Sequence, residues 1–203
     1  MIKNVIFDFG QVLVRFEPSY MVGVYVSDES DRSLLENVIF DRLYWNDLDA
    51  GRLGHDEAFD LMCQRIPSRL HSVARRIYDD WVVNIPEIDG MRELVSVVKG
   101  KSVKCFVLSD ISRYFADNSH RVPILSLMDG CVFSADVGIT KPDRRIFEHI
   151  LRKFDLSADE TVFIDDKPLN IEGAEAVGIK GYVFDGDSAK LRVWLESEIT
   201  SSR

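Results

Sequence analysis

The chain has 203 residues, of which 46% are hydrophobic and 29% charged, and its formal net charge is −9 at pH 7. This length fits one substantial domain, or a main domain with a small insertion. The acidic excess argues against nucleic acid as the main partner, because binding to a phosphate backbone normally requires a basic stripe. A small phosphate ester stays compatible with an acidic protein if a metal ion and a few local donors balance its charge.

Membrane and secretory patterns are missing from the sequence. There is no apolar stretch of the ~20 residues that span a bilayer, and the chain begins in a strand pattern without a leader. Cys63, Cys105 and Cys131 are far apart and lack metal-ligand spacing, which favours reduced cysteines. We therefore expect a cytoplasmic protein with no membrane or nucleic-acid partner, monomeric or weakly homo-oligomeric.

Short apolar runs, each followed by a small or acidic residue, predict strands buried on both faces. Helical patterns lie between the later runs, and this alternation predicts a Rossmann-like, three-layer α/β/α core with a largely parallel sheet. The runs are Val5 to Phe7 before Asp8, Val103 to Leu108 before Ser109, Cys131 to Phe133 before Ser134, Thr161 to Ile164 before Asp165, and Gly181 to Phe184 before Asp185. The helical patterns cover residues 143–154, 171–177 and 188–199.

Residues 16–85 break this alternation. They contain no convincing buried strand, but their amphipathic stretches predict three or four helices inserted after the first strand. We therefore expect an α/β core, residues 1–15 and 86–203, and a small α-helical cap, residues 16–85. The amphipathic stretches are residues 31–40, 56–66 and 70–83.

Several polar residues end these runs, and the carboxyl ends of parallel strands meet at one edge of a sheet. Asp8 alone is a good turn-capping residue, and we expect Gly10 to permit a tight bend that brings main-chain amides to a ligand. The neighbouring Asp165 and Asp166 are a stronger signal, because adjacent carboxylates repel each other unless a cation lies beside them. Mg²⁺ suits such oxygen ligands, whereas a helix N-cap would use only one of the two.

Two further residues have both a functional and an ordinary interpretation. Ser109 is a hydroxyl donor for a phosphate oxygen, or the N-cap of a helix beginning near Ile111. Lys141 is a point charge of the kind that binds phosphate, or a loop residue before Pro142.

The order of Asp8, Ser109, Lys141 and the pair Asp165-Asp166, across nearly the whole chain, resembles the four motifs of the haloacid dehalogenase superfamily. The segments Gly-Ile-Thr-Lys-Pro-Asp (138–143) and Phe-Ile-Asp-Asp-Lys-Pro-Leu-Asn-Ile-Glu-Gly-Ala (163–174) look like subfamily I, in which a helical cap follows the first motif. Asp-Ala-Gly-Arg-Leu (49–53) and Asp-Glu-Ala-Phe (56–59) are most similar to bacterial α-D-glucose-1-phosphate phosphatases.

The resemblance implies a magnesium-dependent phosphatase that hydrolyses a small phosphorylated metabolite, such as a sugar-1-phosphate, through an aspartyl-phosphate. A bound Mg²⁺ would then spread the charge of the transition state. The implied site residues are Asp8 and Lys141 for catalysis; Ser109, Asp110 and Lys141 for phosphate binding; and Asp8, Gly10 (through its carbonyl), Asp166 and, directly or through water, Asp165 for the metal.

Gly10 is a departure from that pattern, because most phosphatases of this superfamily carry there a second Asp that protonates the leaving oxygen. General acid catalysis typically raises the rate by about 10²–10⁴-fold, so we expect slow turnover of substrates with poor leaving groups. A sugar-1-phosphate needs less protonation of its leaving oxygen. The candidate substitutes for the missing acid are Asp47, Asp49 and His55 in the cap, and Gln11 and Asp110 at the crevice. Trp45, Phe59 and Trp81 either line a sugar site or, as we favour, form cap core.

Two alternative functions remain open. A dehalogenase of the same superfamily also uses a nucleophilic Asp, but it needs no metal, so the pair Asp165-Asp166 disfavours it. A non-catalytic relative that binds a phosphorylated ligand or a protein partner would explain the missing acid. The presence of Asp8, Lys141 and Asp166 weighs against that second alternative.

Overall fold

One sheet of five parallel strands forms the centre of the computed structural model, which describes residues 1–200. Its order is β3-β2-β1-β4-β5, so β1 lies in the middle, and Phe7 is paired with Val107 on one side and Ile164 on the other. The predicted parallel α/β sheet is confirmed. The strands are β1 (Asn4–Phe7), β2 (Lys104–Ser109), β3 (Gly130–Phe133), β4 (Thr161–Asp165) and β5 (Lys180–Val183).

Helices cover both faces of the sheet, which explains why the strand sequences are continuously apolar. Val5 and Phe7 point into one hydrophobic cluster, while Ile6 between them points into a second cluster on the opposite face. The helices that follow the first strand are α1 (Pro18–Gly23), α2 (Glu29–Ile39), α3 (Arg42–Asp49), α4 (His55–Cys63) and α5 (His71–Asp80). The later ones are α6 (Met91–Gly100), α7 (Arg113–Asn118), α8 (Ser134–Val137), α9 (Arg144–Phe154), α10 (Pro168–Glu175) and α11 (Ser188–Thr200), with short 3₁₀ turns at 68–70, 119–121, 123–127 and 158–160.

The helices from α1 to α5 form an insertion whose two ends lie side by side. Arg15 N donates to Pro86 O at 2.8 Å, and Ile88 N donates to Leu13 O at 3.0 Å. The insertion therefore leaves and rejoins the α/β part a few residues beyond Asp8. These crossings lie near the expected cap limits of residues 16 and 85, although the division into two domains stays a prediction.

Three of the five inserted helices correspond to the predicted amphipathic stretches, and two were not predicted. The missed helices are α1, with six residues after Glu17, and α3, with eight residues after Asp41. Helices of only about two turns offer too few apolar positions for a periodic pattern. In α3 the local signal is the cap, because Asp41 Oδ1 accepts from Leu43 N at 3.0 Å. No helix within residues 1–200 has both the length and the apolar character needed to cross a bilayer.

Candidate active site

The carboxyl ends of three neighbouring strands bring the predicted polar residues together. Asp8 follows β1, while Ser109 and Asp165 end β2 and β4, the two strands paired with β1. All three are buried, with exposed fractions of 6%, 3% and 0%. Asp8 N donates to Ile164 O at 2.8 Å, which extends the sheet pairing to the residue that carries the carboxylate.

Lys141 joins two of these strand ends. Its Nζ lies 2.8 Å from Asp8 Oδ1 and 2.8 Å from Asp165 Oδ2, and donates to Leu108 O at 3.2 Å. Burial alone would lower the pKa of Lys141, but attraction to Asp8, Asp165 and Asp110 outweighs it and raises that pKa above its ordinary value. Lys141 therefore carries a fixed positive charge against Asp8 and is more than a loop residue before Pro142.

The carboxylate of Asp8 is held in one orientation. Its Oδ1 accepts from Phe9 N at 2.7 Å and faces Lys141 Nζ, whereas Oδ2 has no hydrogen-bond partner among residues 1–200. Burial raises the pKa of Asp8 to about 6, with Lys141 opposing that rise. Most of the Asp8 carboxyl is therefore ionised at neutral pH, as a nucleophile requires.

The two carboxylates of the acidic pair have different environments. Asp165 is saturated, because its oxygens accept from Lys167 N (2.8 Å), Asn170 Nδ2 (3.0 and 2.9 Å) and Lys141 Nζ (2.8 Å). Asp166 Oδ1 is buried yet has no partner among the described residues. Neither acid caps α10, whose N-cap is Lys167 without a side-chain hydrogen bond.

This arrangement fits a hard divalent cation. Asp8, Asp165 and Asp166 each offer an oxygen, and these atoms lie within 4.8 Å of one another. A buried carboxylate oxygen without a partner is unusual unless an ion or water completes it, and Mg²⁺ takes one or two carboxylates while keeping several waters. Asp8 and Asp166 are therefore the residues that would hold the metal directly, and Asp165 is placed to hold Lys141.

The end of β2 and the residue after it carry two of the residues expected to bind phosphate, Ser109 and Asp110. Ser109 lines the cavity in front of Asp8 and does not cap a helix, because the N-cap of α7 is Ser112, whose Oγ accepts from Phe115 N at 3.3 Å. The side chain of Asp110 accepts from Lys141 N at 2.9 Å. Because that side chain is already engaged with the Lys141 main chain, the group of Asp110 that suits a phosphate is its main-chain N–H.

The chain turns directly after Asp8, but the turn does not depend on glycine at position 10. Gly10 does not have a positive φ, and a Cβ built there meets no atom within 4 Å. The left-handed residue is Gln11, with φ 60°, and its N–H closes the loop onto Val14 O at 2.7 Å. Position 10 therefore has room for a side chain.

A cavity of about 310 Å³ lies in front of Asp8. Trp45 and Trp81 line it and also pack edge to face at 5.3 Å, so they are both buried core residues and part of the cavity wall, whereas Phe59 is not part of the lining. The cations Arg42 and Lys167, which sequence reasoning missed, also line it. The full lining is Asp8, Phe9, Gly10, Gln11, Phe16, Phe40, Arg42, Trp45, Asp49, Trp81, Ile85, Ser109, Asp110, Ile111, Lys141, Asp166 and Lys167.

Strand-end carboxylates, a buried lysine and an acidic cluster around one cavity define a hydrolase site that handles phosphate beside a metal ion. The chain belongs to the haloacid dehalogenase-like hydrolase family, whose model matches residues 53–184. It is 28% identical over 183 residues to a sesquiterpene phosphatase of Aspergillus oryzae, covering 88% of each chain. It is 25% identical to a phosphorylated carbohydrates phosphatase of Thermotoga maritima, covering 88% of this chain and 82% of that one.

A solved structure shares the fold. It is a HAD family enzyme from Bacteroides thetaiotaomicron in complex with magnesium and inorganic phosphate. The TM-score is 0.70 at 17% identity, covering 94% of this chain and 99% of that one. At this identity the likeness shows that the two chains share a fold.

Proposed function

We propose that this protein is a magnesium-dependent phosphatase that hydrolyses a small phosphorylated metabolite through an aspartyl-phosphate on Asp8. The observation that carries the proposal is the ion pair of the buried Lys141 with Asp8, at the edge of a cavity that also holds the unpartnered oxygen of Asp166. Oδ2 of Asp8 is free of protein hydrogen bonds within residues 1–200 and is the oxygen available to attack phosphorus.

The residues around Asp8 suit phosphoryl transfer. Lys141 stays protonated and offsets the repulsion between the Asp8 carboxylate and the phosphate. The Ser109 hydroxyl and the main-chain N–H of Asp110 are donors for phosphate oxygens. A Mg²⁺ held by Asp8, Asp166 and the Gly10 carbonyl would supply further neutralisation of the transferring group.

A sugar phosphate is the substrate class we propose first. Aromatic faces such as those of Trp45 and Trp81 pack against the apolar faces of sugars, and Arg42 offers a polar contact at the same cavity. The Thermotoga phosphatase acts on phosphorylated carbohydrates, and the segment 49–53 resembles sugar-1-phosphate phosphatases. A cytoplasmic location and a monomeric or weakly oligomeric state remain part of this proposal.

An isoprenoid monophosphate is the second candidate, because one wall of the cavity is apolar. Phe16, Phe40, Trp45, Trp81 and Ile85 contribute to that wall, and the Aspergillus relative is a sesquiterpene phosphatase. A long apolar chain would gain from this wall about 25 cal/mol for each Å² that it buries.

Release of inorganic phosphate from a panel of esters tests the proposal. The panel contains hexose-1-phosphates, hexose-6-phosphates, a pentitol phosphate and a prenyl monophosphate, each with Mg²⁺ and with EDTA. We expect turnover that EDTA abolishes and that Asp8→Asn abolishes. Asp185→Asn is the matched control, because Asp185 also follows a strand but pairs with Lys190 outside this cavity.

Three results would contradict the proposal. Turnover that survives EDTA would remove the metal, and turnover that survives Asp8→Asn would remove the nucleophile. Binding of a phosphate ester without any turnover would favour a non-catalytic relative. Release of halide from a haloacid without metal would instead favour a dehalogenase.

A further inference from the structure

The cavity in front of Asp8 contains a carboxyl group that the proposed phosphoryl transfer does not use. Asp49 ends α3 and lines the same cavity as Asp8 and Gly10. Its Oδ1 is buried without a hydrogen-bond partner, and no cation lies within 4.0 Å of its carboxyl group among residues 1–200. Buried polar atoms are normally satisfied, so this one requires an explanation.

Two contacts hold the main chain of Asp49 against the α/β part. Ser134 Oγ, at the start of α8, donates to Asp49 O and accepts from Ile111 N at 2.9 Å. Gly51 adopts φ +69°, and a Cβ there would lie 2.8 Å from Ala135 O, so only glycine lets the chain pass this close. Asp49 is thus fixed relative to the loop after Ser109.

The surroundings of Asp49 suit a proton donor. Burial raises its pKa to about 7; Asp110 and Asp8 add to the rise, while Arg42 and Lys167 oppose it. An acid with a pKa near the working pH is the most effective general acid. Asp8 differs, because Lys141 in direct contact favours its ionised form.

The other cap residues considered for this role are engaged elsewhere. Asp47 is exposed and pairs with Arg52 at 2.6 Å. His55 Nε2 lies 2.9 Å from Asp79 Oδ1, and its ring stacks on Tyr78 with ring centroids 4.1 Å apart. His55 is not part of the cavity lining. Neither side chain reaches the cavity.

The two crevice residues are also unsuited. Gln11 lines the cavity, but its amide does not give up a proton at neutral pH. Asp110 lines the cavity, but its Oδ1 already accepts from Lys141 N at 2.9 Å, so this carboxyl group is not free of partners. Asp49 is therefore the one candidate of the five that combines an ionisable group, access to the cavity and freedom from partners within the described residues.

We propose that Asp49 is the general acid and base of this enzyme, in the place of the carboxylate that Gly10 lacks; this inference rests on the proposed phosphatase function. As Asp8 Oδ2 bonds to phosphorus, the bond from phosphorus to the leaving oxygen breaks, and the proton of the Asp49 carboxyl passes to that oxygen to give the alcohol. Water then attacks the aspartyl-phosphate and gives its proton to the Asp49 carboxylate. The bond between phosphorus and Asp8 breaks, which restores the Asp8 carboxylate and releases phosphate.

The test compares Asp49→Asn on two substrates by kcat/KM, which reports the steps up to transfer of the phosphoryl group to Asp8. The leaving group of a hexose-6-phosphate is a strongly basic alkoxide that needs a proton. The leaving group of p-nitrophenyl phosphate is a weakly basic nitrophenolate that does not. We expect kcat/KM to fall by about 10²–10⁴-fold for the sugar phosphate and by less than about tenfold for the aryl phosphate. With the aryl phosphate the variant should also release a burst of nitrophenol, because the aspartyl-phosphate lacks its base.

A control variant and a restoring variant accompany this test. Asp47→Asn removes an exposed carboxylate of the same helix and should leave both values unchanged. Gly10→Asp in the Asp49→Asn background places a carboxyl in the open space at position 10, and it should recover at least about tenfold of the lost sugar-phosphate activity.

The outcomes separate the two proposals. Equal falls in kcat/KM for both substrates, or no fall for either, would overturn the role of Asp49 while the wild type remains a phosphatase. A fall confined to KM for the sugar phosphate would make Asp49 a substrate-binding residue and would also overturn the role. If the wild type hydrolyses neither these two esters nor any other ester of the panel, the proposed phosphatase function itself fails.

Discussion

Asp49→Asn is expected to remove a loss of stability that the wild type undergoes as the pH rises, while it also removes the proposed acid. Burial raises the pKa of Asp49 from 3.8 to about 7. The folded state therefore keeps a proton that the unfolded chain has already lost between about pH 4 and pH 7. Because ionisation opposes folding for a group whose pKa is raised in this way, the contribution of Asp49 to stability falls as the pH rises through this window.

The size of this effect follows from the shift. A rise of about three pKa units lowers the free energy of unfolding by about 4 kcal/mol once Asp49 is fully ionised, above pH 7. Between pH 5 and pH 8 the loss is about 2.5 kcal/mol by linkage, which falls to about 2 kcal/mol because the carboxyl is partly screened by solvent. Asn does not ionise, so its free energy of unfolding lacks this loss. From pH 5 to pH 8 the difference in free energy of unfolding between the variant and the wild type should therefore shift by about 2 kcal/mol in favour of the variant, which corresponds to about 4–8 °C in Tm for a chain of this size.

Urea unfolding of both proteins at pH 5 and pH 8, followed by far-ultraviolet circular dichroism, measures this double difference. Any cost of placing an Asn amide at position 49 is the same at both pH values and cancels. Asp47→Asn should show a pH-dependent difference below about 0.5 kcal/mol, because Asp47 is exposed. If the wild type and Asp49→Asn differ equally at both pH values, the raised pKa of Asp49 and the reasoning from its burial are wrong.

Three further predictions concern the rest of the site. Lys141→Met leaves Asp8 and Asp165 buried without their cation, so the free energy of unfolding should fall by about 3–5 kcal/mol in urea titrations at pH 7; an unchanged value would contradict the ion pairs. Asp166→Asn should raise the Mg²⁺ concentration for half-maximal phosphate release by about tenfold or more, and an unchanged requirement would exclude Asp166 as a ligand. Gly51→Ala, with its Cβ 2.8 Å from Ala135 O, should lower the melting temperature and reduce sugar-phosphate turnover more than p-nitrophenyl phosphate turnover; equal reductions would argue against positioning of the acid.

The sheet was predictable because its strands are buried on both faces. A run such as Val5 to Phe7 has apolar residues on consecutive positions, and the structure shows alternate residues in two separate hydrophobic clusters. The carboxyl ends of such strands meet at one edge, so the gathering of Asp8, Ser109 and Asp165 also follows from the sequence.

The division of labour between neighbouring residues was not predictable. Asp165 is the last residue of β4 and points inward to Lys141, whereas Asp166 is the first residue beyond the strand and keeps an oxygen without a partner among the described residues. Asp47 and Asp49 pose the same problem on α3, because residues two apart lie on nearly opposite sides of a helix. Since α3 was too short to predict, the sequence did not indicate which of them faces the cavity.

Ser134 links the two sides of the space that the leaving group would occupy. Its hydroxyl bridges Ile111 N, near Ser109, and the carbonyl of Asp49, so this buried side chain helps to set the distance between the loop after Ser109 and Asp49. Substitution at position 134 alters that distance without removing any group that touches phosphorus. We therefore expect a substitution at position 134 to change which alcohols the enzyme releases more than it changes the binding of phosphate.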